Sequence, residues 1–228
     1  MHLILLPGMD GTGDLFAPLV DELIGAKVSV ISYPSKDCLG WEPLLQFIRQ
    51  AIPRDEPITL VAESFSGPLG IMLAARKSHN VRALVLCASF ASSPLPRWLR
   101  HVPVPGFALK ALPRFVVQSL LLDSTSSSEQ VATIHRCVKS VPPKILAGRF
   151  RMIQQVDVRS DLREVHLPIL YLAGRKDRLV PKRCSNEITG SHAGSSRVIL
   201  DGPHLLLQSS PEPAANEIRK FLGSTFAQ

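Results

Sequence analysis

A chain of 228 residues has the size of one domain, with room for an insertion but not for two full domains. Hydrophobic residues at 45% and charged residues at 20% support a substantial core and exclude disorder as the main state. No apolar run reaches the ~20 residues needed to span a bilayer, so no transmembrane segment is expected. Residues 1–8 lack the basic leader of a signal peptide and are too short for one; they read as a strand entering a turn. The four cysteines, Cys38, Cys87, Cys137 and Cys184, are scattered and form no Cys-x-x-Cys pair. That spacing predicts reduced thiols, a cytoplasmic location and no metal site.

In chain order, short Val/Ile/Leu-rich runs at 2–6, 27–33, 58–62, 82–87, 168–173 and 197–200 are apolar without strict alternation. Such runs predict strands covered on both faces, hence a mostly parallel sheet of about six strands. Helical patterns at 14–24, 41–52, 65–78 and 211–222 lie between and after them. Gly25 stops the first; Ser210-Pro211 opens the last with a capping serine and a proline at the first helical position. The alternation predicts an open α/β domain with right-handed crossovers.

It fails over residues 92–158, between the fourth and fifth strands. There Pro94, Pro96, Pro103, Pro105 and Pro113 precede helical patterns, and Ser126-x-x-Glu129 predicts a capping box for a helix over about 127–141. The segment reads as a helical cap inserted into one domain. It is also where the charge sits. Residues 97–151 hold nine Lys/Arg against Asp123 and Glu129, which accounts for the whole net charge of +7. A balanced remainder argues against nucleic acid as a partner. The basic segment is either a solvated face or an attractor for an anionic substrate or membrane surface. Its apolar residues Leu95, Trp98, Leu99, Phe107, Leu109, Phe115, Val116, Leu120 and Leu121 either pack the cap or line an acyl pocket.

Residues 58–67 run from a strand straight into a helix with Ser64 at the junction. Ala62 and Ser66 flank it at two residues' distance, where a sharp turn leaves space only for small side chains. Ser64 is then a candidate nucleophile, against the plainer alternative of a helix cap. Ser66 is the poorer frame, because Pro68 would occupy a flanking position. A serine needs a base and the base an orienting acid. Asp177 follows the fifth strand and His204 the sixth, so the shared C-terminal sheet edge brings both towards Ser64. Asp201, three residues before His204, is the rival acid; His192 precedes the last strand and belongs to the opposite edge. After the first strand, the glycine-rich turn 7–13 offers the backbone N–H of Met9, and the N–H of Phe65 completes a candidate oxyanion hole. Asp10, Thr12 and Asp14 read as turn and cap residues.

With Pro7-Gly8, Ala62-Glu63-Ser64-Phe65-Ser66-Gly67, the acid loop 174–181 and Gly202-Pro203-His204 in the order Ser, Asp, His, the chain resembles the α/β-hydrolase family. It departs at Ala62 and Ser66, where glycines are usual, and in starting at the strand before the oxyanion loop. The resemblance implies Ser64 as nucleophile, His204 as general base and acid, Asp177 as orienting acid, and no cofactor. The expected activity is a serine esterase or thioesterase working on a small acyl ester or thioester through an acyl-enzyme. Acyl transfer on the same fold and a non-catalytic receptor that keeps the pocket are the alternatives. Dehalogenase chemistry wants a carboxylate at position 64. A dinucleotide site is disfavoured because Gly8, Gly11 and Gly13 are spaced in the wrong order.

Overall fold

The computed structural model describes residues 2–37, 39–76, 80–123 and 126–226. Cys38, the end of the helix expected to reach residue 78, and part of the loop at 124–128 lie outside them. The first half alternates β1 (His2–Leu6), a 3₁₀ turn (Asp14–Phe16) running into α1 (Ala17–Glu22), β2 (Lys27–Val30), α2 (Trp41–Ala51), β3 (Ile58–Glu63), a second 3₁₀ turn (Ser64–Ser66) continuing as α3 (Gly67–Ala75), and β4 (Val81–Cys87). A third 3₁₀ turn (Arg97–His101) then precedes α4 (Gly106–Lys110), α5 (Arg114–Leu121), α6 (Ser128–Ser140) and α7 (Pro143–Gln155). The short α8 (Arg159–Arg163) leads to β5 (Ile169–Gly174), α9 (Lys182–Ser191), β6 (Ser195–Leu200), α10 (Leu206–Ser209) and α11 (Pro211–Phe226).

All six strands are parallel, in the order β2-β1-β3-β4-β5-β6. Their continuous apolarity follows from helices on both faces. Ile4, Leu6, Leu60, Ala62, Leu84 and Leu86 point to the side packed by α2, α3 and α8, while Leu3, Leu5, Val61, Val85 and Leu172 meet α1 and α11. The chain adds β2 on one side of β1 and then crosses to β3 on the other, so the topological switch lies between β1 and β3.

Two expectations shift for physical reasons. The second strand ends at Val30 rather than 33, because Tyr33 leaves the sheet, bonds its N–H to the Gly11 carbonyl at 2.7 Å and turns its ring into the core. The capping box of α6 uses Ser127 and Gln130, one residue later than Ser126 and Glu129; both reciprocal bonds are present. Cys87, Cys137 and Cys184 are free and buried. No helix among the described residues is long and apolar enough to cross a membrane.

The helical segment between β4 and β5 leaves and rejoins the sheet at one place. The Ser93 N–H donates to the Val156 carbonyl at 3.0 Å and the Val158 N–H to the Ala91 carbonyl at 2.8 Å. Below this neck, α3 lies close on β4. A Cβ added at Gly67 would stand 1.7 Å from the Ser89 hydroxyl oxygen, which itself bonds to the Ser64 carbonyl at 2.6 Å. Gly67→Ala should therefore destabilise the fold by about 1–3 kcal/mol through overpacking. The check is urea unfolding, with a lowered midpoint and an unchanged slope expected.

Candidate active site

The turn after β3 is strained. Ser64 has φ +48°, a left-handed conformation that non-glycine residues adopt rarely and at a cost of about 1–3 kcal/mol. Packing holds it there. Phe65 is fully buried, stacked on Trp41 with ring centroids 5.2 Å apart and met edge-on by Tyr33 at 6.3 Å. Ser66 is also fully buried, and its hydroxyl donates to the Pro7 carbonyl at the end of β1. That commits its only hydrogen, so the Tyr33 hydroxyl donates to Ser66 at 2.5 Å. Burial raises the Tyr33 pKa well above that of a free phenol, keeping it a donor. Ser66 is thus a pin between the two loops, and Ser64 alone presents its hydroxyl.

That hydroxyl lies 3.0 Å from His204 Nε2, and His204 Nδ1 lies 3.0 Å from Asp177 Oδ2. The other carboxylate oxygen, Asp177 Oδ1, accepts the N–H groups of Leu179 and Val180 at 2.8 and 2.9 Å. An ionised carboxylate only accepts, so Nδ1 of a neutral His204 carries the hydrogen and Nε2 is left to accept from Ser64. The loops bearing the two groups are fastened together by the Arg175 N–H to the Leu200 carbonyl at 2.8 Å and the Lys176 N–H to the Gly202 carbonyl at 2.9 Å. Asp201 stands apart. Its side chain is 69% exposed and paired with Lys176, whereas that of Asp177 is 6% exposed. His192 sits at the start of β6, at the other end of the sheet from Ser64.

Met9 lies in a turn closed by the Gly11 N–H on the Gly8 carbonyl at 3.1 Å, and Phe65 is in the first turn of a helix. Both positions leave a backbone N–H outside the bonds of its own element. Asp10 accepts from the Thr12 N–H and hydroxyl at 2.9 and 2.6 Å, and Thr12 accepts from the Asp14 N–H at 3.3 Å, as turn and cap residues should.

Arg149 fits neither reading of the basic residues 97–151, a solvated face or an attractor for anions. It is buried, projecting from α7 beneath the turn after β1. Its Nη1 donates to the carbonyls of Met9 and Asp10 at 3.0 and 2.6 Å, and Nη2 to that of Pro34 at 3.2 Å. The guanidinium carbon lies 5.6 Å from the centre of the Tyr33 ring. Gly11, at φ +69°, makes room, since a Cβ there would come within 2.3 Å of Nη1. Nothing in the sequence pattern separates Arg149 from its exposed neighbours, because its partners are more than a hundred residues away.

A cavity of about 270 Å³ opens over Ser64. Leu95, Leu109, Leu120 and Leu121 of the helical segment line it with Phe150 and Ile153, and Met9, Asp10, Glu63, Ser64 and His204 form its polar end. The three large aromatics read as either packing the cap or lining the pocket are turned to solvent: Trp98, Phe107 and Phe115 are exposed. Among the described residues no cluster of three His, Cys, Asp or Glu side chains is arranged to hold a metal.

Glu63, the residue before Ser64, was not singled out by sequence. It is buried, with Oε2 accepting from Gln208 Nε2 at 3.3 Å and Oε1 without a partner. Burial raises its pKa from 4.5 to about 7. Between those values the folded chain binds a proton that the unfolded chain has released, so this group's contribution to stability falls as pH rises and levels off above about 7. Glu63→Gln should remove that dependence. The stability advantage of Glu63→Gln over wild type, measured by urea unfolding, should widen by about 3 kcal/mol from acid to mildly alkaline pH.

The pimeloyl-[acyl-carrier protein] methyl ester esterase of Aliivibrio salmonicida is 22% identical over 238 residues, covering 96% of this chain and 91% of that one. Phytyl ester synthase 1 of Arabidopsis thaliana is 38% identical over 103 residues, a stretch covering 41% of this chain and 15% of that protein. The enol-lactonase from Burkholderia xenovorans superimposes with a TM-score of 0.84 at 19% identity, covering 97% of this chain and 90% of that one. The bromoperoxidase from Bacillus anthracis gives 0.85 at 14% identity, covering 97% and 91%. These two likenesses establish the α/β-hydrolase fold that the strand order and site position already indicated. The sequence model of the family described as serine aminopeptidase S33 matches residues 41–211, three quarters of the chain, and the protein belongs to that family of α/β-hydrolases.

Proposed function

We propose that the protein is a serine esterase or thioesterase with Ser64 as nucleophile, His204 as general base and acid, and Asp177 as orienting acid. The observation that carries this reading is a strained, accessible serine within 3.0 Å of a histidine nitrogen at the polar end of an otherwise apolar cavity. In the first half-reaction, the Ser64 oxygen bonds to the acyl carbon as its proton passes to His204 Nε2. The N–H groups of Met9 and Phe65 donate to the oxygen that gains the charge. His204 then protonates the departing alcohol or thiol. Water repeats the sequence on the acyl-enzyme, losing its proton to His204, and Ser64 leaves reprotonated with the carboxylic acid released.

The helical segment acts as a cap whose inner leucines receive the acyl chain. A peptidase reading, suggested by the family's description, fits the pocket less well. A substrate's terminal ammonium would want an available carboxylate, yet Asp10 is committed to Thr12, and Glu63 is buried with a raised pKa. One relative is named for cleaving a methyl ester and another for forming a phytyl ester, and chemistry at an ester bond supports the same reading here.

Ser64→Ala should abolish turnover of a graded panel of aryl esters and acyl thioesters while the fold persists. A fluorophosphonate should label wild type at Ser64. Labelling at Ser66 instead would sink the assignment, and an Asp201→Asn loss exceeding that of Asp177→Asn would move the acid. Arg149 is assigned as a positioning residue that aims the Met9 N–H through the turn's carbonyls. Arg149→Met should lower kcat by about 10–100-fold with KM nearly unchanged, a fraction of what losing an oxyanion donor outright costs. Arg149→Lys should recover part of it, and a rise in KM at constant kcat would count against the role.

A further inference from the structure

The segment between β4 and β5 is apolar on two sides. Its leucines face the cavity, yet Trp98, Phe107 and Phe115 turn outward at 71%, 68% and 72% exposure. Val102 and Leu112 are also exposed, so five of the nine large hydrophobics exposed among the described residues fall within residues 98–115. Scattered exposed apolar side chains are ordinary, but such a concentration marks a contact surface. Leu112 is shared: it lines the cavity and reaches solvent between Phe107 and Phe115 in sequence. Leu112 therefore joins this exposed apolar segment to the edge of the cavity.

Within the segment itself the charge has one sign. No acidic residue occurs between Glu63 and Asp123, whereas Arg97, Arg100, Lys110 and Arg114 are interleaved with the aromatics. Arg97 and Arg114 are exposed. Arg100 and Lys110 are anchored from behind, by the Ser93 carbonyl at 3.1 Å and by the Lys139 and Val141 carbonyls at 2.6 and 2.9 Å. Aromatic side chains interleaved with fixed cations form the composition that settles into a lipid–water interface.

We propose that this face docks on an anionic lipid surface. Trp98, Phe107 and Phe115 enter the acyl layer, Arg97 and Arg114 sit among headgroup phosphates, and the cavity opens onto the bilayer. The three rings project from three separate elements, the turn Arg97–His101, α4 and α5. A fluid acyl layer needs only that they reach one plane, whereas a folded acidic partner would need three pockets at matching spacings. Delivery of an acyl substrate from the membrane rests on the hydrolase reading above; docking itself does not.

The experiment is co-sedimentation of the full chain with vesicles of phosphatidylcholine alone and with a third phosphatidylglycerol. Hydrolysis of a soluble short-chain ester is followed in parallel. Wild type should bind the anionic vesicles and release as salt is added. Trp98→Ser/Phe107→Ser/Phe115→Ser should bind at least tenfold more weakly to either vesicle. Arg97→Glu/Arg114→Glu should lose more than tenfold on anionic vesicles only, since each cation near such a surface strengthens binding about fivefold. Neither variant should change soluble ester turnover, and Ser64→Ala should still bind. Tryptophan emission should shift to the blue on anionic vesicles and be quenched by brominated lipid, and Trp98→Phe should lose both responses. Absence of vesicle binding, or equal binding by the triple serine variant, overturns the proposal. So does a wild-type dimer that the triple variant dissolves, or capture of an acidic carrier protein without vesicle binding. An inactive chain that still binds anionic vesicles would count against the hydrolase reading and leave docking intact.

Discussion

The Ser66 hydroxyl holds the loop after β1 against the turn after β3 from a position with no solvent at all. Its bond to the Pro7 carbonyl, with Tyr33 donating from the other side, ties together two segments that the sheet only brings near each other. The strained backbone at Ser64 depends on this, because a left-handed residue costing a few kcal/mol persists only where its surroundings over-determine it. Ser89 on the Ser64 carbonyl and Trp41 stacked on Phe65 complete the restraint. The spacing between the Met9 and Phe65 N–H groups is consequently set by hydrogen bonds and packing within the two loops. Arg149 adds a third anchor to the same turn, from an element outside the sheet.

Much of the arrangement was legible in the sequence, for a local reason. Parallel strands declare themselves as apolar runs, and a parallel sheet gathers all its C-terminal ends at one edge. Ser64, Asp177 and His204 could therefore be assigned to that edge from three strand ends, without any knowledge of contacts. Tyr33, Ser66, Glu63 and Arg149 were not legible in the same way. Each owes its role to a partner distant in the chain or to burial that no local pattern reports: Ser66 looked like a small residue in a tight turn, and Arg149 like one more cation in a basic stretch. β2 stops short of its apolar run because the pull of the core on Tyr33 outweighs the strand pattern through residue 33.

The helical segment escaped binary patterning for a different reason. Apolar periodicity assigns one buried face to each helix, and it does not separate the aromatics of this segment from its leucines. Leu109, Leu120 and Leu121 take the inward positions instead, and the aromatic rings are turned out. Short elements of five to eight residues, separated by Pro103, Pro105 and Pro113, offer too few turns for a period to identify its own phase.

The neck at Ser93 and Val156 gives the segment adjacent ends, the geometry of an exchangeable cassette. Chimaeras made by cutting there would leave the strands untouched and bring a new cavity lining with each donor. They would also lose the guanidinium that fastens the turn after β1, which belongs to the cassette and not to the scaffold. On the proposed mechanism, substrate range and transition-state support are thus inherited together. A graft that keeps an arginine at the place of Arg149 keeps the fastening of that turn, and one that lacks it exchanges the cavity lining at the expense of that anchor.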